Sequence, residues 1–410
     1  MSPTQHYANS AADPRLLAAR ILDARKARGL TQQDAADLLG VSRPTYVAIE
    51  KGARPLSDEE IVRIAEICGQ GVHQLLARQE PLRDFVAHFK AAAARSSILD
   101  PSLDAATRSL QDLCEDYLYL EGLMDAPMIR QYPSVYQVGN RDPVEASEEV
   151  ADSERRRLGL GSRPLRDLEE LLASEVGIRV FQIDLPSAVS GLFAYGEPLG
   201  AAIAIQRKHP PGRRLWSLAH EYAHFLTNRY EPEVTILVAG SRKPAKERFA
   251  DAFARSFLLP RLELRRRFHD LKTAAASVTA GDLVALADSY GVSMQAMVLR
   301  LEEIRLIPGG TWSSFEERGF RVKDAGSMLG LQPAGDNASL PQRYVNLAVQ
   351  AYDQEKITEG ELMRFLRTDR QRARETLQKM TRRMEVSGAG ESGELVLDLA
   401  WSLADLGRPA

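Results

Sequence analysis

The sequence predicts a mainly α fold with a small β-sheet (α+β), and three observations predict it. Apolar residues recur near the helical period along most of the chain, as at Leu110, Leu113, Tyr117, Leu120 and Met124. Only two runs, 177–185 (GIRVFQIDL) and 200–206 (GAAIAIQ), have the short, β-branched character of strands between turn residues. Capping residues such as Thr31 and Ser42 stand before apolar-periodic segments, and glycines such as Gly29, Gly40 and Gly52 follow them.

The 410 residues suffice for several domains at ~100–200 residues each. Hydrophobic residues make up 44% and charged residues 27%, which excludes global disorder. No apolar run approaches the ~18 residues of a membrane span, and the polar N-terminus is not expected to be a secretory signal. Two cysteines, Cys68 and Cys114, can make neither a disulfide framework nor a cysteine zinc site, so a reducing cytoplasm is expected. With a formal net charge of −3, any contact with nucleic acid must come from a local basic patch.

Residues 1–14 are expected to be disordered, 15–79 to form a helix-turn-helix domain, and 80–144 a helical connector or dimerisation segment. The prolines and turn residues of 132–147 place a boundary before a second domain over 145–310, which Pro308-Gly309-Gly310 closes. Residues 311–335 look loop-like, and about 341–384 read as a helical pair with a short tail in a C-terminal helical region, 311–410.

In the N-terminal segment one helix ends at Gly29. Thr31 caps a second, with Ala35, Leu38 and Leu39 inward, and Gly40 permits a tight turn with Val41 beneath it. Ser42 caps a third, with Val47 and Ile49 inward, which leaves Ser42, Arg43, Thr45 and Tyr46 expected at the surface near its start. That helix end lies in the major groove of DNA, where Arg is bidentate to guanine and Thr meets a base or its methyl. Gln32 is placed to bond phosphate. Between Arg15 and Arg54 eight Lys/Arg stand against four Asp/Glu, a local +4, which points to a double-stranded DNA operator as partner. The order of these residues resembles the Xre/Cro-like helix-turn-helix family. The resemblance implies a compact five-helix domain that binds two half-sites as a homodimer, with Arg43 and Tyr46 where the family reads bases.

Within RRLWSLAHEYAHFLTN (213–228), His220-Glu221-Tyr222-Ala223-His224 has the H-E-x-x-H arrangement. Histidines four apart share one helix face and converge on a tetrahedral ion with bonds of ~2.0–2.1 Å. The third ligand is expected from KERFADAFARSFLLP (246–260): Glu247 completes a His2Glu zinc site, one ion per chain, and Asp251 one turn on orients a ligand histidine. Zinc is favoured over manganese or iron by ligand type. Glu221, about 100° round the helix from the ligands, is the expected catalytic base: zinc lowers the pKa of water towards ~7, Glu221 takes the proton, and hydroxide attacks a polarised carbonyl. The remaining histidines, His6, His73, His88, His209 and His269, read as surface or packing residues.

Residues 150–260 resemble the ImmA/IrrE family of zinc metallopeptidases through ERRRLGLGSRPLRDLEELLASEVGIRVF, SGLF, AAIAI, RRLWSLAHEYAHFL and ERFADAFARSFLLP, with looser likeness through 286–307 and 340–366. The resemblance implies a reduced zincin core, and several members cleave a helix-turn-helix repressor after stress or DNA damage. Tyr222-Ala223 departs from the Leu-Gly often found there.

Together these features predict a cytoplasmic DNA-binding transcriptional regulator that carries a zinc endopeptidase. Its expected substrate is a repressor-like helix-turn-helix protein, in trans or within its own polypeptide, in a stress or defence response, and no membrane is involved. Two other readings stay open: a non-proteolytic transcription factor whose zincin-like domain senses a small ligand or mediates oligomerisation, and an antitoxin-like autoregulator. Strand 201–206 is a candidate for pairing with an extended substrate. A second helix-turn-helix pattern at 283–307, with Gln295 and Met297 outward, reads as packing beside the peptidase. The charged helix over 367–383 reads as a solvated face or partner contact.

Overall fold

The computed structural model describes residues 14–76, 101–139, 141–230, 233–236, 244–274, 277–322, 328–329, 340–386 and 392–396. The expected disorder before residue 14, His6, His88 and the connector up to residue 100 lie outside them, as does the side chain of His73. Helices dominate and strands are few, as the sequence predicts. Contacts divide the chain into two units: Met1–Asp84 with Glu115–Pro127 and Arg343–Ala410, and Phe85–Cys114 with Met128–Gln342.

In the first unit five helices, α1 (Pro14–Ala27), α2 (Gln32–Leu39), α3 (Arg43–Glu50), α4 (Asp58–Cys68) and α5 (Val72–Leu76), follow from their caps. Thr31 and Asp34 form a capping box at α2, as do Ser57 and Glu60 at α4, each arrangement worth ~1 kcal/mol. Gly40, at φ 79°, makes the left-handed turn between α2 and α3. Ile21, Ala35, Leu39, Ile49 and Ile64 form the core. Leu38, expected inside, is 54% exposed.

Tyr46, expected at the surface, is also corrected: it is fully buried. It lies three residues before Ile49, on the helix face that turns to the core, and its ring is too large to be left wet there.

Later segments of this unit form helices Gln342–Asp353, Glu359–Phe365 and Arg370–Thr381. Tyr344 meets the edge of Tyr117 at 5.2 Å, Arg343 pairs with Glu121 at 2.7 Å and Arg367 with Asp116 at 2.8 Å. A strand pair, Arg382–Val386 with Ser392–Val396, replaces part of the expected tail.

The second unit is built round a four-stranded sheet of β1 (Arg179–Ile183), β2 (Val189–Gly196), β3 (Gly200–Gln206) and β4 (Glu233–Ile236), in the order β1-β3-β2-β4. β1 runs parallel to β3, while β2 runs antiparallel to both β3 and β4. Every residue of β3 is buried, and the strand is paired on both sides. The expectation that 201–206 accepts a substrate strand is therefore corrected, because its N–H and C=O groups already bond to β1 and β2.

Helices Pro143–Arg157, Pro211–Asn228 and Ala245–Leu258, with Ala280–Tyr290 and Met294–Glu303, share the large core of this unit. The second helix-turn-helix pattern is thus packing, and Met297, expected outward, is buried. Residues 311–322 are not a free loop. They form a helix, Thr311–Glu317, and Trp312, Phe315, Phe320 and Val322 pack against the same core.

Candidate metal centre and DNA-facing helix

Helix Pro211–Asn228 buries Leu215, Leu218, Ala219, Ala223, Phe225 and Leu226, so the face bearing His220 and His224 is carried inside the fold. Helix Ala245–Leu258 packs beside it through Phe249, Phe253 and Phe257 and brings Glu247 and Asp251 to the histidines. His220 Nε2 lies 3.2 Å from His224 Nε2 and 3.3 Å from Glu247 Oε2, and His224 Nε2 lies 3.5 Å from Glu247 Oε1. A tetrahedron with bonds of ~2.0–2.1 Å has edges of about 3.3 Å. Three of its corners are thus in place, and the fourth belongs to no protein ligand atom among the described residues. The donor set, two imidazoles and one carboxylate, is that of a catalytic zinc site.

Electrostatics agree. Burial lowers the pKa of His224, and neighbouring His220 lowers it further, to about 3. Burial also opposes charge on His220, but hydrogen bonds to Asp251 and Glu247 outweigh it and raise that pKa to about 10. Burial likewise disfavours the charged Glu247, yet its bond to His220 holds the carboxylate below the ordinary range. The two carboxylates of Glu247 and Asp251 thus face the buried histidine pair. Asp251 Oδ1 stands 3.0 Å from His220 Nδ1, an arrangement in which His220 donates from Nδ1 and turns Nε2 towards His224 and Glu247.

Glu221 is fully buried on the flank of the helix that meets β2. A Cβ built at Gly191 would lie 2.3 Å from Glu221 Oε1 and 2.7 Å from its Cδ, so only glycine leaves room for this carboxylate. Gly191 adjoins an irregularity in the β2–β4 pairing. Sequence reasoning missed it, although an interior glycine in SGLFAYG is itself a signal of close approach. It also missed buried Glu154, whose carboxylate accepts the Tyr222 hydroxyl at 2.7 Å. The departure from Leu at position 222 was the available signal, since a buried phenol requires a partner.

At the start of α3 the Ser42 side chain accepts from Thr45 N, and the two hydroxyls lie 2.8 Å apart. Ser42 and Arg43 are exposed and Thr45 is half-buried, so these three remain at the helix end. Gln32, expected on phosphate, donates its side-chain amide to Glu50 at 2.8 Å, and Glu50 also pairs with buried Arg25 at 2.5 Å. Its principal partner is thus within the domain.

Residues 21–73 match the family described as Helix-turn-helix, and residues 173–302 match the IrrE N-terminal-like domain of a peptidase family. The chain thus joins a DNA-binding helix-turn-helix of the regulator type to a metallopeptidase-family domain. The crystal structure of ComR from Streptococcus suis aligns at 12% identity over 91% of this chain and 90% of that chain, with a TM-score of 0.16. No curated protein matches the chain. Among the described residues no helix is long and apolar enough to cross a membrane.

Proposed function

We propose, from the premise that a helix-turn-helix and an IrrE N-terminal-like domain share one chain, that this protein is a cytoplasmic transcriptional regulator with a zinc endopeptidase of its own. The observation that carries this reading is the triangle of His220, His224 and Glu247 ligand atoms, whose edges fit three corners of a zinc tetrahedron. Zinc bound there would act as a Lewis acid, bringing the pKa of water towards ~7 and polarising a carbonyl.

The protein's own side chains do the rest. His220, His224 and Glu247 would hold the ion, and Asp251 would fix the His220 tautomer. Glu221, one residue from a ligand and walled by Gly191, takes the proton from water and returns it to the leaving amine as the C–N bond breaks and the new C–O bond forms. Arg43, Ser42 and Thr45 face a double-stranded operator, which a homodimer reads as two half-sites. The substrate is a helix-turn-helix repressor-like protein, or this chain's own N-terminal region, and its cleavage converts a stress or defence signal into transcription.

The test is incubation of the zinc-loaded chain with helix-turn-helix proteins encoded beside it, wild type against Glu221→Gln. The wild type cleaves one of them and Glu221→Gln does not. Equal cleavage by both would remove Glu221 as base.

A further inference from the structure

The two ligand-bearing helices must be held to within a few tenths of an ångström, because metal–ligand distances tolerate only about ±0.2 Å. Their histidine and carboxylate ends meet at the site itself. Tyr222, between the two histidines in sequence, joins the helices a second time, through Phe253 and Phe257, which lie about two to three turns beyond Glu247 on its helix.

Tyr222 is fully buried. Its ring lies 6.0 Å from Phe253 and 5.8 Å from Phe257 of the Glu247 helix, and it stacks on Phe225 of its own helix at 5.8 Å. Its hydroxyl donates to Glu154 Oε2 at 2.7 Å and accepts from Arg157 Nη2 at 3.2 Å. Glu154 is itself fixed: Arg157 Nε reaches both of its oxygens at 3.0 Å, and the Tyr136 hydroxyl donates to Oε1 at 2.8 Å. The backbone N–H of Tyr136 donates in turn to the Leu226 carbonyl at 2.9 Å. A single ring thus joins helices Pro143–Arg157, Pro211–Asn228 and Ala245–Leu258.

Phe253 follows Glu247 by six residues, a separation of roughly 9 Å along the helix. A tilt of only ~5° about the Tyr222 contact would move Glu247 by roughly 0.8 Å over that arm, several times the tolerance of the metal site.

We propose that Tyr222 is a positioning residue for the metal centre: its hydroxyl, anchored on buried Glu154, fixes the ring between the two ligand helices and so sets the distance from the histidine pair to Glu247. The inference rests on the metal reading above, and its test reads metal binding rather than hydrolysis.

Zinc affinity of the full chain is measured by competition with a chelating dye, and coordination is followed by the visible absorption of the Co2+-loaded protein. Tyr222→Phe keeps the ring but drops the anchor. Zinc affinity falls roughly tenfold or more, in the range typical when an outer partner of a ligand is lost, and the Co2+ spectrum changes. Tyr136→Phe removes a donor from the same carboxylate but leaves the Tyr222 anchor, and it stays within about twofold of wild type with an unchanged spectrum. Should Tyr222→Phe fail to fold, Phe257→Leu, which loosens the ring from the other side, reports the same loss.

Wild-type affinity and spectrum in Tyr222→Phe would overturn the proposal, as would equal losses in Tyr222→Phe and Tyr136→Phe, which would mark a general effect of disturbing Glu154. A wild-type chain that binds neither metal would refute the metal reading itself and this inference with it. Metal uptake by the wild type with no hydrolysis leaves the inference standing and refutes only the peptidase.

Discussion

Replacing Asp251 separates two ways in which a carboxylate beside a ligand histidine contributes. Asp251 Oδ1 accepts from His220 Nδ1 at 3.0 Å, and the same hydrogen bond helps to raise the His220 pKa to about 10. Asp251→Asn retains a carbonyl oxygen near that position, so the ring orientation survives and only the charge is lost. Asp251→Ala loses both. Losing an outer partner of a ligand histidine costs about 10–100-fold in metal affinity, or roughly 1.4–2.7 kcal/mol. The structure assigns the lower end to Asp251→Asn, which keeps an acceptor for His220 Nδ1, and the upper end to Asp251→Ala, which removes it. The assay is chelator competition at a fixed pH above 7, with thermal melting of the metal-free proteins as a control for folding. Equal, wild-type-like affinities for both variants would refute the reasoning, because Asp251 would then have no hold on the ligand.

Further predictions follow from other contacts. Gly191→Ala places a Cβ 2.3 Å from Glu221 Oε1, so hydrolysis drops by about 100-fold while zinc content stays that of wild type; parallel loss of both would count against a specific effect on the base. Arg43→Ala, at an exposed helix end, weakens operator binding by ~1–3 kcal/mol in a mobility-shift titration. Tyr46→Phe leaves that affinity unchanged and does not lower the melting temperature, because the phenol is buried and finds no hydrogen-bond partner among the described residues. Glu263 is held at about 2, below its ordinary 4.5, chiefly by its hydrogen bond to Arg266, against the opposing effect of burial and with help from Arg267. Its depressed value means that the stability it adds is complete above pH ~4.5 and is lost as pH falls towards ~2; Glu263→Gln therefore flattens the melting-temperature profile across that window.

The grouping of His220, His224 and Glu247 was legible in the sequence because its chemistry is local. The helical period alone puts His220 and His224 on one face, and one turn of the next helix aligns Glu247 with Asp251. The recognition helix was legible in part. Its caps, Thr31 and Ser42, stand where local hydrogen bonding requires them, but a cap does not say which face turns inward, and Tyr46 and Leu38 were each placed on the wrong side. Strand β2 escaped notice because Gly191, Ala194 and Gly196 interrupt its apolar alternation, and β4 because it is only four residues long. The link from Tyr222 to Glu154 spans 68 residues and depends on how three helices cross, which no local periodicity encodes.

Metal content decides whether the His220, His224 and Glu247 triangle is a zinc site. Elemental analysis of the purified chain should find one zinc bound in wild type and in Glu221→Gln, and loss of that zinc in His224→Ala and Glu247→Ala. A folded wild-type chain that stays metal-free in the presence of zinc, or single-ligand variants that keep their full equivalent, would contradict it.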